Sequence, residues 1–163
     1  KGKKPVQKMP PASQFKFVPR EINHLNTRDD SLKAIAVPVI EKAEARNYLL
    51  KRKISEEMMK DLWYVDNAQS LSFLSPKYKD RVLGNDARII LPFYNENGKL
   101  IGVSGRAINN SPLRYLTMRF TDDVPLIFNL NKVDRTKTIY VTEGPIDSLF
   151  LPNSIAVGGS DFK

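Results

Sequence analysis

The chain has 163 residues, 41% of them hydrophobic, which is enough to bury the core of one medium-sized domain or two small ones. Its 26 Lys and Arg residues outnumber 18 Asp and Glu, and the formal net charge of +8 favours a polyanionic partner. The sequence contains no cysteine, no run long enough to span a bilayer and no signal peptide, which excludes disulfides and thiolate zinc sites within the chain and predicts a cytoplasmic setting.

The first segment is basic and rich in proline. Residues 1–20 hold six lysines or arginines, four prolines and no acidic residue. Because proline removes backbone donors and fixes φ, we predict a basic arm or linker over residues 1–33, with an irregular stretch over residues 22–38. A nucleic-acid-contacting arm and a plain interdomain linker both fit this composition. His24, the only histidine, is more typical of a surface or capping residue than of a metal ligand.

Residues 40–66 show the spacing of amphipathic helices. Apolar residues recur every three or four positions, first around Tyr48 and again around Met58. Ser55 is followed by two glutamates, which is typical of a helix N-terminus. The sequence therefore predicts two short helices, over residues 41–52 and 55–63, joined by a tight connection.

A β-hairpin follows a polar, irregular stretch over residues 67–84. Residues 88–94 and 99–104 are rich in apolar and β-branched side chains, and Asn95-Glu-Asn-Gly98 between them is a strong turn signal. We expect the return strand to continue to residue 108. Residues 113–117 are predicted to form another strand or extended segment.

The last segment has the pattern of a βαβ unit. Residues 138–142 predict a strand with little solvent exposure, Pro145 suits the first turn of a short helix to about residue 151, and residues 154–157 predict a second, parallel strand. Ligands of open α/β sheets gather at the carboxyl ends of strands. Glu143 follows the first strand directly and is therefore a candidate metal ligand.

This strand ending in Glu-Gly-x-x-Asp, followed by a short helix and a second strand, resembles the first motif of the Toprim domain. Toprim domains occur in bacterial-type primases, in type IA and type II topoisomerases and in some nucleases. The resemblance implies that Glu143 contributes to a divalent-metal and phosphate site, with Asp147 as its second acidic residue and Gly144 next to the nucleotide. The segment Gly158-Gly-Ser-Asp161 could bring backbone N–H groups near phosphate.

Two further segments resemble DnaG-like primases of bacteria and phages. Residues 45–57 are similar to the family's helical pattern A-x-x-Y-L-x-x-R-G-I-S-x-E, with Lys53 in place of the usual glycine, where a positive φ would strain a lysine. The stretch from Arg88 to Arg106, followed by Arg114-Tyr-Leu, is similar to the primase block that ends in G-R and K-Y-L. The resemblance implies that Arg88, Arg106 and Arg114 line a groove for template and incoming nucleotide.

The order of these motifs also matches the family. Residues 126–130 resemble the family's short link into the Toprim strand, whereas Asp122-Asp123 stand where relatives often have a basic residue. The predicted fold is mixed α+β or α/β: a primase subdomain of helices and a mixed sheet over residues 34–132, then the first βαβ unit of a Toprim subdomain over residues 133–163. Toprim proteins carry an Asp-x-Asp on a later strand, so we expect a fragment that is weakly active or inactive alone.

The resemblance implies a DNA primase, a nucleotidyltransferase that synthesises short RNA primers on single-stranded DNA from nucleoside triphosphates during replication. Mg²⁺ or Mn²⁺ is the implied cofactor, and a replicative helicase is a further expected partner. Two alternatives stay open. One is a fragment of a Toprim nuclease or topoisomerase; the other is a non-catalytic module for single-stranded nucleic acid, whose binding would depend neither on Glu143 nor on metal.

Overall fold

Two β-sheets organise the computed structural model, which describes residues 27–157. The larger sheet is antiparallel and has the strand order β1-β2-β3-β4-β5. Its strands are β1 (Val37–Pro38), β2 (Trp63–Val65), β3 (Arg88–Tyr94), β4 (Leu100–Ala107) and β5 (Tyr115–Arg119). The smaller sheet has the order β6-β8-β7, formed by β6 (Ile127–Phe128), β7 (Tyr140–Thr142) and β8 (Ser154–Val157). The α-helices of the described residues are α1 (Arg28–Ile35), α2 (Ala43–Lys51) and α3 (Pro145–Ser148).

The predicted hairpin is confirmed as the pair β3 and β4. Their register runs from Arg88 opposite Ala107 to Phe93 opposite Gly102 and shifts by an irregularity after Phe93. In the turn, the Asn95 side-chain oxygen accepts hydrogen bonds from two backbone N–H groups of the loop, at 3.1 and 2.9 Å. The strand predicted over residues 113–117 is present as β5, two residues further along the chain.

Both faces of the larger sheet are buried. One face packs against α2 and the smaller sheet in a cluster that includes Ile89 and Leu91. The other face packs against α1 and two 3₁₀ helices in a cluster that includes Ile90 and Val103. All eight residues of β4 are buried for this reason, and its sequence shows no alternation of polar and apolar side chains.

The helical predictions need three corrections. Residues 22–38 are not irregular throughout, because α1 begins after Thr27, whose hydroxyl oxygen accepts a hydrogen bond from the Asp30 N–H at 3.1 Å. The helix predicted over residues 55–63 is wrong: residues 56–61 form turns and Trp63 opens β2, which pairs with β3. The stretch 67–84 contains the 3₁₀ helices Ala68–Leu74 and Pro76–Tyr78.

Lys53 has φ of +67°, the conformation that glycine adopts without strain.

The predicted βαβ unit is present, with β7 and β8 parallel and α3 between them. Two details were wrong. The helix ends at Ser148, short of residue 151, and β7 is not shielded from solvent, since Tyr140 and Val141 are 45% and 57% exposed. The exposure arises because β7 is the edge strand and its side chains join neither hydrophobic cluster of the described residues.

The link that precedes the βαβ unit forms β6, which pairs with β8 in antiparallel orientation. Phe128 of β6 makes an edge-to-face contact with Phe93 of β3, with ring centres 5.8 Å apart. This strand therefore joins the two sheets into one hydrophobic cluster that also contains Ile146 and Ala156. The proposed domain boundaries at residues 33 and 132 stay predictions. His24, residues 1–26 and Gly158-Gly-Ser-Asp161 lie outside the described residues.

Candidate functional site

A cavity of about 410 Å³ lies between the βαβ unit and the edge of the larger sheet. We call it the acidic cleft, and its lining residues are Ser104, Tyr115, Thr117, Glu143, Gly144, Pro145 and Asp147. Three residues predicted from the sequence, Glu143, Gly144 and Asp147, therefore line one cavity. The opposite wall comes from β4 and β5.

The two carboxylates are positioned by the end of β7 and the first turn of α3. Glu143 directly follows the strand, and both Glu143 and Asp147 are exposed. The Asp147 carboxylate lies over Gly144, where an added Cβ would approach its Oδ2 atom to 2.7 Å. The Thr142 hydroxyl donates to the Gly144 carbonyl oxygen at 3.1 Å and fixes this turn. A side chain at position 144 would therefore displace the exposed Asp147 carboxylate.

Carboxylate oxygens are the ligands that Mg²⁺ and Mn²⁺ prefer, so Glu143 and Asp147 fit part of such a site. Mg²⁺ usually keeps several waters and is held by one or two protein carboxylates together with phosphate oxygens. Within residues 27–157, no group of three or more acidic or histidine side chains is placed to hold a metal ion. The cleft therefore offers two carboxylate side chains to a metal.

Hydroxyl groups line the opposite wall. Ser104 of β4 and Thr117 of β5 are cross-strand partners, and their hydroxyl oxygens lie 3.3 Å apart. Tyr115, two residues before Thr117 on the same strand, is 40% exposed at the mouth of the cleft. This wall offers neutral hydrogen-bonding groups and one aromatic ring opposite the acidic wall.

Arg106 lies beside the cleft and is 5% exposed. It follows Ser104 by two residues on the same face of β4, and its guanidinium carbon lies 4.7 Å from the centre of the Tyr115 ring. Its Nε donates a hydrogen bond to the Tyr48 hydroxyl at 3.0 Å. No carboxylate among the described residues pairs with it. Because buried charges are ordinarily paired, this guanidinium is suited to bind an anion.

Arg88 has a different environment from Arg106. It is 1% exposed, and it donates hydrogen bonds to the carbonyl oxygens of Gly105 and Leu113, each at 2.9 Å. Its Nη2 also lies 2.9 Å from Asp86 Oδ2, although this ion pair lacks hydrogen-bond alignment and Oδ2 has no hydrogen-bond partner. Arg88 is therefore engaged inside the protein and lines a separate cavity between residues 82–88 and 109–113, away from the acidic cleft, so a nucleotide-binding role for it stays a prediction.

The three predicted arginines do not share one surface. Arg106 pairs with Ile89 across the hairpin, whereas Arg88 pairs with Ala107. Consecutive residues of a strand point to opposite faces, so Arg88 and Arg106 lie on opposite faces of the sheet. Arg114 precedes β5, has an exposed side chain, and contributes its carbonyl oxygen to a hydrogen bond from the Ala107 N–H at 3.1 Å.

Sequence reasoning missed the hydroxyl wall and the tyrosine contacts of Arg106. The two-residue period of β4 would have placed Ser104 on the same face as Arg106. By contrast, Thr117 and Tyr115 depend on the register of β5, and Tyr48 reaches Arg106 across 58 positions of sequence. The acidic residue Asp122, found where relatives often carry a basic one, forms an ion pair with Lys77.

Comparison with known proteins agrees with the resemblance of the motifs to primases. The chain is similar to the DNA primase of Enterobacteria phage T4, with 34% identity over 115 residues. That match covers 69% of this chain and 33% of the relative, so the chain spans about a third of the length of this curated relative. No protein-family model matches the chain.

Several solved structures share its fold. The Escherichia coli primase catalytic core superposes with a TM-score of 0.56 and 21% identity, over 80% of this chain and 51% of that one. The zinc-binding and RNA polymerase domains of the Aquifex aeolicus primase give 0.62 and 21%, over 83% and 42%. A DnaG primase catalytic domain solved with single-stranded DNA gives 0.55 and 22%, over 80% and 50%. At these identities the likeness concerns the fold.

Proposed function

Because the chain resembles DnaG-like DNA primases in sequence and has the fold of their catalytic core, we propose that it is part of a primase that synthesises RNA primers on single-stranded DNA. The reaction is nucleotidyl transfer from nucleoside triphosphates, as in other DNA-directed RNA polymerases. The observation that carries the proposal is Arg106: a buried cation without a carboxylate partner among residues 27–157, beside a cleft with two carboxylates. A triphosphate bridged by a divalent ion complements both charges.

The roles of the acidic wall follow from its chemistry. Glu143 is the proposed metal ligand, and Asp147 is its partner on the same wall of the cleft. Mg²⁺ or Mn²⁺, when bound, neutralises the triphosphate and activates the attacking 3′ hydroxyl. Gly144, which lies between the two carboxylates in this turn, is proposed to lie next to the nucleotide.

The basic residues take the polyanionic partners. Arg106 is proposed to bind phosphate with its terminal amino groups, because its Nε already donates a hydrogen bond to Tyr48. Arg114 is exposed at the start of β5 and is proposed to contact the nucleic-acid backbone. The net charge of +8 and the similar fold of a primase domain solved with single-stranded DNA support this choice of partner.

The wider setting is also part of the proposal. We propose a replicative helicase as a partner of the whole protein and the cytoplasm of a bacterial cell as the site of its function. No helix among the described residues has the length and apolar character needed to cross a membrane.

Binding of ATP in the presence and absence of Mg²⁺ tests the proposal, measured by titration calorimetry on the wild type, Glu143→Ala and Arg106→Ala. We expect Mg²⁺ to strengthen ATP binding in the wild type and not in Glu143→Ala, and Arg106→Ala to weaken it with or without metal. Glu41→Ala, an exposed glutamate outside the cleft, is the matched control and should behave as the wild type.

A second measurement separates the enzyme from a binding module. Anisotropy of a labelled single-stranded oligonucleotide reports nucleic-acid binding without nucleotide. If the chain binds the oligonucleotide, while ATP binding is absent or independent of both Mg²⁺ and Glu143, the primase proposal is wrong and the non-catalytic binding module replaces it.

A further inference from the structure

Tyr48 and Arg52 contact each other, and Tyr48 also contacts Arg106, in an arrangement that the proposed function leaves unexplained. Tyr48 and Arg52 lie one helical turn apart on α2 and its C-terminal end. The Tyr48 hydroxyl oxygen accepts a hydrogen bond from Arg106 Nε at 3.0 Å and a longer one from Arg52 Nη1 at 3.4 Å. The Arg52 guanidinium also lies 5.5 Å from the centre of the Tyr48 ring.

The same guanidinium of Arg106 is held on another side by Tyr115, at 4.7 Å from the ring centre. Two tyrosines from different elements therefore hold it: Tyr48 accepts a hydrogen bond from its Nε, and the Tyr115 ring lies against the guanidinium group. Its two terminal amino groups make no hydrogen bond with the described residues. These are the groups that bind phosphate in the bidentate manner, and the hydrogen bond at Nε together with the Tyr115 contact limits the directions in which they can point.

An unrestrained arginine has many rotamers, and ordering them on binding reduces affinity. A guanidinium fixed beforehand avoids much of this loss. The hydrogen bond joins Tyr48 to Arg106. Helix α2 contributes no residue to the lining of the acidic cleft, but through this bond it holds the arginine that lies beside the cleft.

We propose that Tyr48 is a positioning residue that orients Arg106 toward phosphate at the acidic cleft, with Arg52 in contact with the Tyr48 side chain. This inference rests on the proposed function, because it assumes that Arg106 binds a phosphate group. It extends that function to a residue of α2 that touches neither the cleft nor its carboxylates.

The test is Tyr48→Phe, which keeps the ring that packs against the core cluster and removes only the hydroxyl. The probe is Mg²⁺-ATP, measured by calorimetry. Losing one hydrogen bond to a charged group should weaken binding by about tenfold. In an Arg106→Ala background, Tyr48→Phe should cause no further loss, because the residue acts through Arg106. Tyr140→Phe, at an exposed tyrosine of β7 outside the cleft, is the matched control.

A second readout does not depend on function. The side-chain Nε–H resonance of Arg106, followed by ¹⁵N NMR, should exchange slowly with solvent in the wild type and rapidly in Tyr48→Phe, while the backbone spectrum keeps its dispersion. Faster exchange together with weaker ATP binding supports the proposal. Unchanged ATP affinity in Tyr48→Phe overturns the positioning role alone, provided that the wild type binds. A wild type that binds no Mg²⁺-ATP contradicts the proposed function, and the positioning role with it.

Discussion

Replacing Arg88 with alanine should destabilise the protein severely. The substitution removes hydrogen bonds to the carbonyl oxygens of Gly105 and Leu113, both at 2.9 Å, and leaves Asp86 without its nearby cation. The Gly105 carbonyl is buried, so water cannot readily replace the lost donor. The aliphatic part of Arg88 also packs against Gly105, where its Cδ lies 3.0 Å from the position of an ideal Cβ.

The expected cost can be derived from these contacts. Each hydrogen bond from a charged donor contributes about 1.5–3 kcal/mol. The ion pair adds less, because it lacks hydrogen-bond alignment and Asp86 is 23% exposed. We therefore expect Arg88→Ala to lower the free energy of unfolding by about 3–5 kcal/mol, a large part of the total for a domain of this size.

Urea unfolding followed by Trp63 fluorescence measures this change, since β2 is the neighbour of β3 in the sheet. Arg88→Lys should lower the free energy of unfolding by more than half as much as Arg88→Ala does. The reason is that a lysine ammonium group lacks the planar geometry with which the guanidinium reaches two carbonyl oxygens. Arg114→Ala, at an exposed side chain, is the control and should stay within about 0.5 kcal/mol of the wild type. A loss below about 1 kcal/mol in Arg88→Ala would refute the internal role assigned here to Arg88.

Three further predictions concern stability. Gly102→Ala should cost about 1–3 kcal/mol, because its Cβ would lie 2.6 Å from the Met118 carbonyl oxygen; an unchanged urea midpoint would contradict this. Lys53→Gly should raise the free energy of unfolding by about 0.5–1 kcal/mol, since it relieves the strain of φ +67°, whereas Lys53→Ala should bring no gain; a destabilised glycine variant would be evidence against strain. Burial tends to raise the pKa of Asp29, but hydrogen bonds from Lys33 and a tyrosine outweigh it and hold the pKa below 3.8. The Asp29 carboxylate therefore stabilises the fold above about pH 4, and this stabilisation is lost as the pH falls further. In an acid titration, the free energy of unfolding of Asp29→Asn should fall less steeply than that of the wild type. Parallel curves would show that the ion pair of Asp29 with Lys33 does not contribute to the acid sensitivity.

The sequence allowed the hairpin and the βαβ unit to be predicted because their signals are local. Asn95 and Gly98 determine the turn between two apolar stretches, and the structure has β3 and β4 there. Residues 154–157 form β8 over the predicted range. The meeting of Glu143 and Asp147 also followed from local spacing, since both belong to one strand-to-helix turn.

The errors occurred where distant contacts decide the structure. Trp63 continues a helical spacing in the sequence, but it begins a strand because β3 offers it a pairing edge. Arg88 and Arg106 look alike as strand-end arginines. Their environments differ because the hairpin register places them on opposite faces, one against the loops at residues 86 and 113 and the other beside Tyr115. No local pattern distinguishes these cases.

The two-sided β4 strand also constrains how this sequence can evolve. Neighbouring positions are under different constraints: Ser104 and Arg106 lie on the face with the acidic cleft and its proposed ligand, whereas Val103 and Gly105 pack on the opposite face. Insertion of a single residue in β4 would move the side chains beyond it to the opposite face of the sheet. Both the packing and the lining of the cleft would then be lost. Descendants of this sequence should therefore vary the length of the hairpin only at its tip, over residues 95–99, beyond the last strand pair, Tyr94 with Leu100.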